Sequence, residues 1–251
     1  MNNRSDTADS NLSRLLVVVL LVGVWQGLTQ LFNIPHFLLP SPHAVAHTLW
    51  QRGEFLAYHG AITSLEMVIG LLLGCMLGIA TAMAMMLFGL FRRLAYPLVI
   101  ISQTLPVFAI APLLVIWLGY GLGSKIAMTV LIIYFPICTA LYFGLRDTRQ
   151  EFIDLAQLAG AGPVQILTMF RIPAALPALA TGLRVSASMA PIGAVVGEWV
   201  GSSAGLGFVM LHANARMQTD ETFAALVILA ILALLLRGLA DRVARYLTQW
   251  N

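Results

Sequence analysis

The sequence predicts an all-α protein that crosses a membrane several times, and three observations support this. Of the 251 residues, 59% are hydrophobic and only 10% are charged, whereas soluble domains carry about 25% charged residues. The mean hydropathy is +0.87. The apolar residues also gather into stretches that reach the ~17 residues needed for a spanning helix. The cations are scattered and form no basic stripe, so we expect no nucleic-acid partner.

We expect about six transmembrane helices in one domain over residues 12–245, after a short tail of residues 1–11. The apolar stretches lie near residues 12–32, 62–89, 95–118, 123–145, 177–201 and 222–240. The first stretch has the basic flank of a signal peptide, but no cleavage site of small residues follows it. We therefore expect it to remain as an uncleaved first helix.

The basic residues predict which side of the membrane each loop faces. If the N-terminus is inside, most arginines fall in cytoplasmic segments, as the positive-inside rule requires. Both termini and the polar loop 146–176 are then cytoplasmic. The cytoplasmic arginines are Arg4, Arg14, Arg92, Arg93, Arg146, Arg149, Arg171, Arg237, Arg242 and Arg245. The outer loops hold Arg52, Lys125 and Arg216.

The sequence contains no pattern typical of catalysis, of metal binding or of nucleotide binding. His43 and His47 are four residues apart, but no third ligand and no HExxH pattern accompany them, so surface histidines are the better interpretation. The run GSSAGLG (201–207) lacks the GK[ST] ending of a phosphate loop, which favours a turn. We therefore expect a chain that is not an enzyme and that binds no metal or cofactor of its own.

A stripe of glycines marks the second predicted span. Gly70, Gly74 and Gly78 recur at every fourth position, and Ala82 continues the series. Small residues at this spacing form a groove in which the backbone of another helix can approach closely. We predict a helix-packing face, and a groove for a ligand is the secondary interpretation.

Prolines interrupt several predicted spans, and two of the interruptions contain hydroxyl or amide side chains. These are ISQTLPVFAIAP (101–112) and SASMAP (186–191). A proline frees an upstream carbonyl, which a bilayer tolerates only where neighbouring helices or a water-filled cavity satisfy it. Such segments are candidates to line a path across the membrane, and ordinary kinked packing is the alternative. The candidate residues are Gln103, Thr104, Pro106, Ser186 and Ser188.

Three ionisable residues fall inside predicted spans. Glu66 and Glu198 are close to the outer ends of their spans, where a carboxylate can reach the headgroups, and Glu198 is also a candidate for the path. Arg184 is about seven residues into its span, roughly 10 Å along a helix. Its side chain leans toward the cytoplasmic end, where it can snorkel to the interface. A role in solute binding is the alternative for Arg184.

The loop 146–176 has the pattern of two short helices. Phe152, Leu155, Ala156 and Ala159 share one apolar face, since they recur at helical spacing. The run Gly160-Ala-Gly-Pro163 ends this helix, and a second helix can run from Pro163 to Ile172-Pro173. An exposed, partly apolar pair of helices suits a helix-in-groove contact with another protein.

This loop resembles the coupling loop in the membrane subunits of bacterial ABC-type importers. That loop has an acidic-Ala-Ala start, a glycine at a fixed distance and an aliphatic-Pro end. The corresponding residues are Asp154-Leu155-Ala156, Gly160 and Ile172-Pro173, with aspartate in place of the usual glutamate and Leu155 in place of the first alanine. Residues 95–125 and 197–207 (GEWVGSSAGLG) are similar to the third span and to the end of the fifth span of that family.

The resemblance implies a permease subunit in the bacterial inner membrane. It implies a second permease copy, with a homodimer expected, a separate ATPase dimer that uses ATP and Mg²⁺, and a solute-binding protein outside. Asp154, Leu155, Ala156, Gly160, Ile172 and Pro173 would dock on the ATPase, and lipid would surround the spans.

The same resemblance also implies a class of solute. The chain is similar to the branch that imports sulfonates, taurine, nitrate and pyrimidine precursors of thiamine. Residues 189–220 are most similar to the pyrimidine-precursor permeases, so a solute of the hydroxymethylpyrimidine type is expected. An ion-coupled secondary transporter is the alternative class, but it would be expected to show inverted repeats or midplane carboxylates.

Overall fold

The structure is a computed structural model that describes residues 5–104 and 106–249, with the side chains of residues 16 and 17 and from residue 19 onward within these ranges. The described chain is built from helices alone, which confirms the all-α prediction. The helices are α1 (Ser5–Leu31), α2 (Pro42–Gln51), α3 (Gly53–Leu87), α4 (Gly89–Thr104), α5 (Val107–Leu118), α6 (Leu122–Arg146), α7 (Gln150–Leu158), α8 (Pro163–Ile166), α9 (Ile172–Trp199), α10 (Leu206–Ala215) and α11 (Thr219–Thr248).

Four helices in the described part of the chain are long and apolar enough to cross a membrane. They are α3, α6, α11 and the continuous helix Pro163–Trp199, and the bent pair α4–α5 makes a fifth candidate span. The first predicted span, 12–32, lies partly outside the described side chains. Its described part contributes the shorter apolar helix Val19–Leu31. The prediction of a polytopic membrane protein is confirmed.

The third predicted span, 95–118, is not one straight helix. It divides into α4 and α5, whose axes differ by 105°. Pro106 has φ −66° and ψ 110°, which is an extended conformation. Proline cannot donate a backbone hydrogen bond, and its ring disfavours a helical conformation for the residue before it. The chain therefore turns sharply within a span whose interruption by proline was predicted, although its angle was not.

The centre of the bundle is formed by α6, which packs between α3 and α9. Gly74 and Gly78 of α3 face α6 so closely that an added Cβ would lie 2.8 Å from the Cγ2 atoms of Ile133 and Ile137. Gly70 faces Thr129 in the same way. From the other side, Gly193 of α9 also abuts Thr129. A Cβ added to Gly193 would lie 2.6 Å from the Cα of Thr129. Small residues thus allow three backbones to approach one another, as is typical of membrane helices.

The outer surface of the bundle is strongly apolar. Leu72 and Met76 on α3, Ile116 on α5 and Leu234 on α11 are among many large apolar side chains that are more than half exposed. A soluble protein rarely exposes so much contiguous apolar surface. In a bilayer these side chains contact lipid tails, which are as apolar as leucine.

Candidate functional site: the coupling loop and a groove along the bundle

Helix α7 ends at a glycine turn that local sequence determines. Gly160 has φ +79°, a conformation in which an L side chain is strained. The N–H of Ala161 donates to the carbonyl of Ala156 at 2.9 Å, which closes the end of the helix. At the start of α8, the N–H of Gly162 donates to the side-chain oxygen of Gln165 at 2.9 Å. The two helices therefore meet at a defined turn.

The two short helices have a small apolar core of their own. Ile153, Ala156 and Ile166 are buried, and Ala161 and Phe170 pack against them. Of the predicted apolar face, Phe152 and Leu155 are exposed and Ala156 is buried. Ile153 is the residue that points inward, because it faces α8 across the turn.

The outward face of this loop combines apolar and acidic side chains. Leu155 is 65% exposed and Leu158 is 88% exposed, and Val164 on α8 is also exposed. Asp154 lies beside them and accepts a hydrogen bond from Gln150 at 2.7 Å. Exposed leucines on a loop of otherwise polar character are typical of a surface that binds another protein.

The second helix of the loop does not end at Ile172-Pro173 as predicted. It passes through a π-helical turn, Leu167–Arg171, directly into α9. The N–H of Ile172 donates to the carbonyl of Leu167, five residues back. Pro173 has no N–H to donate, so the helix can widen here without losing a hydrogen bond at that position. Ile172 and Pro173 thus lie inside a continuous helix.

Arg171 connects this turn to the rest of the bundle. Its guanidinium donates to the carbonyl of Leu145 at the end of α6 at 3.1 Å and lies 3.5 Å from the sulfur of Met86 near the end of α3. A cavity of about 220 Å³ lies beside it, between the ends of α3 and the two loop helices. Arg171 therefore links the loop to the ends of two spanning helices.

A groove of about 660 Å³ runs along α4, α5, α6 and α9. Its polar lining consists of Ser102, Gln103, Thr139 and Thr181, and Phe135 and Phe143 are among its apolar residues. None of the described lining residues carries a charge. The groove can therefore accommodate an uncharged molecule with a few hydrogen-bonding groups and an apolar or aromatic body.

The structure places the predicted path residues in different environments. Gln103 lines the groove, and Thr104 and Pro106 are exposed beside the break between α4 and α5. Ser186 is buried and donates to the carbonyl of Ile133 at 3.2 Å. Ser188 is exposed and accepts a hydrogen bond from Arg237 at 2.6 Å.

Glu198 is buried at the far end of α9 and holds the start of α10. Its carboxylate accepts the hydroxyl of Thr63 at 2.6 Å, and it also accepts the N–H of Gly207. Thr63 in turn accepts the N–H of Leu206 at 2.8 Å, and His59 Nδ1 accepts the N–H of Gly205 at 2.9 Å. Side chains from α3 and α9 thus satisfy the free N–H groups at the first turn of α10.

Two further charged residues are buried beside Glu198. Glu66 and Lys125 are 0% and 2% exposed, and each has the other charged groups of this cluster as neighbours. The expectation that Glu66 and Glu198 reach the headgroups was wrong, because packing of α3, α6 and α9 encloses both. Lys125 was assigned to an outer loop, but its ammonium group donates to the carbonyls of Tyr120, Gly121 and Gly201.

Sequence reasoning missed the roles of Thr63, His59 and Lys125. One signal was available, since Lys125 is the single lysine among fourteen Lys and Arg residues. It lies between a glycine-rich turn and an apolar run, where a solvated side chain would be unusual.

Residues 70–250 match the family described as the inner membrane component of binding-protein-dependent transport systems. The chain belongs to this family. The permease is 52% identical, over 90% of its own length and 92% of the relative, to a probable ABC transporter permease protein of Haemophilus influenzae.

Two further relatives carry more specific names. The permease is 34% identical to the formylaminopyrimidine transport permease protein ThiX of Halalkalibacterium halodurans, over 94% of each chain. It is also 34% identical to the riboflavin transport system permease protein RibX of Chloroflexus aurantiacus, over 94% of this chain and 89% of the relative.

A solved structure has the same fold. A chain of the MetNI methionine ABC transporter, in an inward-facing conformation, aligns with a TM-score of 0.67 at 20% identity, covering 79% of the permease and 98% of that chain. The permease is therefore the membrane subunit of an ABC importer located in the inner membrane. This membership decides against an ion-coupled secondary transporter.

Proposed function

We propose that this permease imports an uncharged pyrimidine precursor of thiamine, of the hydroxymethylpyrimidine type. The observation that carries the proposal is the uncharged lining of the groove on α4, α5, α6 and α9, as far as the described residues define it. A separate ATPase would supply the energy through the loop that contains α7 and α8.

The chemistry of the groove favours a neutral ring over an anion. Gln103 offers both a donor and an acceptor. The hydroxyl groups of Ser102, Thr139 and Thr181 donate to backbone carbonyls of their own helices, so their oxygens are available to a solute as acceptors. Phe135 provides an aromatic face on which a ring can stack. A sulfonate, nitrate or the sulfonate group of taurine would be expected to pair with a cationic side chain in such an apolar setting, and the described lining has none. The similarity to ThiX supports the same choice.

The outward face of α7 and α8 provides the proposed docking site for the ATPase. Leu155 and Leu158 would enter an apolar groove of the ATPase, and Asp154 would lie at its edge. Gly160 shapes the turn between the two helices, and Ala156 holds them together from inside. Ile172 and Pro173 would act at the base of the loop rather than in the contact itself, since they lie within the helix that becomes α9.

The remaining partners follow from the same proposal. The partner ATPase would bind ATP and Mg²⁺, and this chain would bind no cofactor. A second copy of the permease would complete the path, and a solute-binding protein would deliver the solute from outside. The ATPase would then bias a two-state permease between inward and outward access.

Solute uptake by the reconstituted transporter tests the proposed solute. The complete complex with its binding protein is placed in proteoliposomes and supplied in parallel with labelled hydroxymethylpyrimidine, formylaminopyrimidine, riboflavin, taurine and nitrate. We expect ATP-dependent uptake of the pyrimidines. Uptake confined to taurine or nitrate would show that the proposed solute is wrong, and uptake confined to riboflavin would retain the neutral-ring class but reject thiamine precursors.

A substitution in the groove links the solute to this site. Gln103→Ala should lower pyrimidine uptake about tenfold, because one or two hydrogen bonds to a buried polar solute are lost. Gln51→Ala is the matched control, because Gln51 is exposed on α2 and lies outside the groove. Equal uptake by both variants would show that the groove is not the binding site.

A further inference from the structure

We infer that Arg184 and Arg237 form a binding site for the phosphate group of an anionic lipid, between α9 and α11 at the end of the bundle that carries the coupling loop. Four features of this pair point to such a ligand, namely its charge, its free donors, its depth in the bundle and its apolar surroundings. It does not depend on which solute the permease carries.

The pair has one carboxylate for two guanidinium groups. The Nε of Arg184 donates to Asp241 at 3.0 Å, and the Nε of Arg237 lies 3.4 Å from both oxygens of the same carboxylate. The other ion pairs in the described part of the chain match one arginine with one glutamate. The cluster of Arg184, Arg237 and Asp241 therefore carries one formal positive charge without a partner.

Part of each guanidinium group is free to bind a ligand. The Nη1 of Arg237 donates to Ser188 at 2.6 Å and approaches the carbonyl of Arg184 at 3.4 Å. The remaining Nη groups of the two arginines have no acceptor among the described residues. The side chains of Arg184 and Arg237 are 32% and 41% exposed. Guanidinium groups with parallel free N–H groups match phosphate oxygens in geometry.

The depth of the pair corresponds to the level of lipid headgroups. The start of α11 is joined to the start of α3 by the ion pair of Arg52 with Glu221, at the end of the bundle opposite the coupling loop. Arg237 is 18 residues further along α11 than Thr219, or about 27 Å at 1.5 Å per residue. A bilayer core is about 30 Å thick, so the pair lies close to the boundary on the coupling-loop side.

The surface beside the pair suits acyl chains. Leu234 and Leu235, within one turn of Arg237, are both more than 60% exposed. A charge without a partner at the edge of such a surface would remain poorly solvated. A lipid satisfies both the unpaired charge and the apolar surface, because its phosphate pairs with the arginines while its tails cover the leucines. Basic pockets between helices on the cytoplasmic side bind anionic headgroups in this way.

Lipid binding to the purified transporter complex tests the inference. The complex in detergent is mixed with phosphatidylglycerol or phosphatidylcholine, and the bound lipid is counted by native mass spectrometry. Each of Arg184→Gln and Arg237→Gln should weaken retention of phosphatidylglycerol about fivefold. Arg242→Gln is the control, because Arg242 is exposed on the same helix and makes no hydrogen bond among the described residues. It should leave retention unchanged.

A second substitution gives a prediction of opposite sign. Asp241→Asn removes the competing carboxylate charge and should strengthen phosphatidylglycerol binding, whereas a purely structural ion pair would predict a loss of stability and no gain in binding. This variant keeps the inference testable if the arginine variants fold poorly.

Three results would overturn the inference. One is equal loss of phosphatidylglycerol from the Arg242→Gln control and from the arginine variants. Another is saturation of the site by inorganic phosphate in place of lipid, which would indicate a site for small anions. A third is a disulfide between two permease copies through Leu234→Cys, which would show that this face is covered by the second copy.

Discussion

The carboxylate of Glu198, near the end of α9, accepts the backbone N–H of Gly207 in the first turn of α10. It also accepts the hydroxyl of Thr63 from α3. A residue of another helix, nine positions before Gly207, therefore performs the role that an N-terminal capping side chain usually performs locally. As a result α3, α9 and α10 are held together at the end of the bundle opposite the coupling loop.

Removal of this carboxylate should destabilise the permease. Glu198→Ala leaves the buried N–H of Gly207 without an acceptor, and the Thr63 hydroxyl keeps only the longer bond to the carbonyl of His59 at 3.2 Å. An unsatisfied buried group costs about 1–3 kcal/mol, so we expect a loss of that size in the free energy of unfolding in detergent, measured by denaturant titration. Glu54→Ala, an exposed carboxylate at the start of α3, should change little. Similar midpoints for the two variants would contradict the capping role.

Gly205 should tolerate no side chain, for two independent reasons. Its φ is +111°, which strains an L residue by about 1–3 kcal/mol. An added Cβ would also collide with the carboxylate of Glu198. Gly205→Ala should therefore lower the thermal midpoint of unfolding by several degrees. Gly238→Ala, in the middle of α11 with nothing within 4 Å, should instead be neutral or stabilise by up to about 1 kcal/mol.

Local features of this fold were predictable from the sequence. The end of α7 at Gly160 and the start of α8 at Pro163 depend on the conformational limits of those two residues alone. The spans were predictable because each needs only a long apolar run. The break at Pro106 was visible as a proline, but its angle was not, because the angle depends on the packing of α4 and α5 against the rest of the bundle.

The buried polar cluster could not be predicted in the same way. Thr63 and Glu198 are 135 residues apart in the chain, and His59 and Gly205 are 146 apart. No local pattern relates such positions, so Glu66 and Glu198 were assigned to the headgroups from their place in the spans. The burial of Ile153 could not be predicted for the same reason, because it depends on where α8 packs.

The glycine face of α3 should be coupled to α6 energetically. Gly74→Ala places a Cβ 2.8 Å from the Cγ2 of Ile133, and overpacking of this kind costs about 1–3 kcal/mol. Ile133→Ala removes the atom that clashes, so the double variant should be more stable than the sum of the two single changes predicts. Unfolding midpoints of all four proteins give the coupling energy. Strict additivity would show that α3 and α6 do not meet at this contact.

The exposed leucines of α7 should govern association with the ATPase. Leu155→Asp should reduce co-purification of the ATPase about tenfold or more, because a charge is introduced into the proposed apolar contact. Asp154→Arg should have a similar effect at the edge of that contact. Leu211→Asp, which changes an exposed leucine on α10, is the matched control and should leave association intact. An unchanged yield of ATPase with Leu155→Asp would show that it docks elsewhere.

Arg171 should affect the transmission of movement from the loop to the bundle rather than the docking of the ATPase. Arg171→Met keeps an apolar stem beside the cavity but loses the hydrogen bond to Leu145, which we expect to lower the unfolding free energy by only about 1–3 kcal/mol. Because the outward face of α7 is unchanged, the ATPase should still co-purify while ATP-driven uptake falls. Arg149→Met is the control, since the side chain of Arg149 is 67% exposed and its pair with Glu151 lies on the surface. Parallel loss of association and uptake in Arg171→Met would instead place Arg171 in the docking contact.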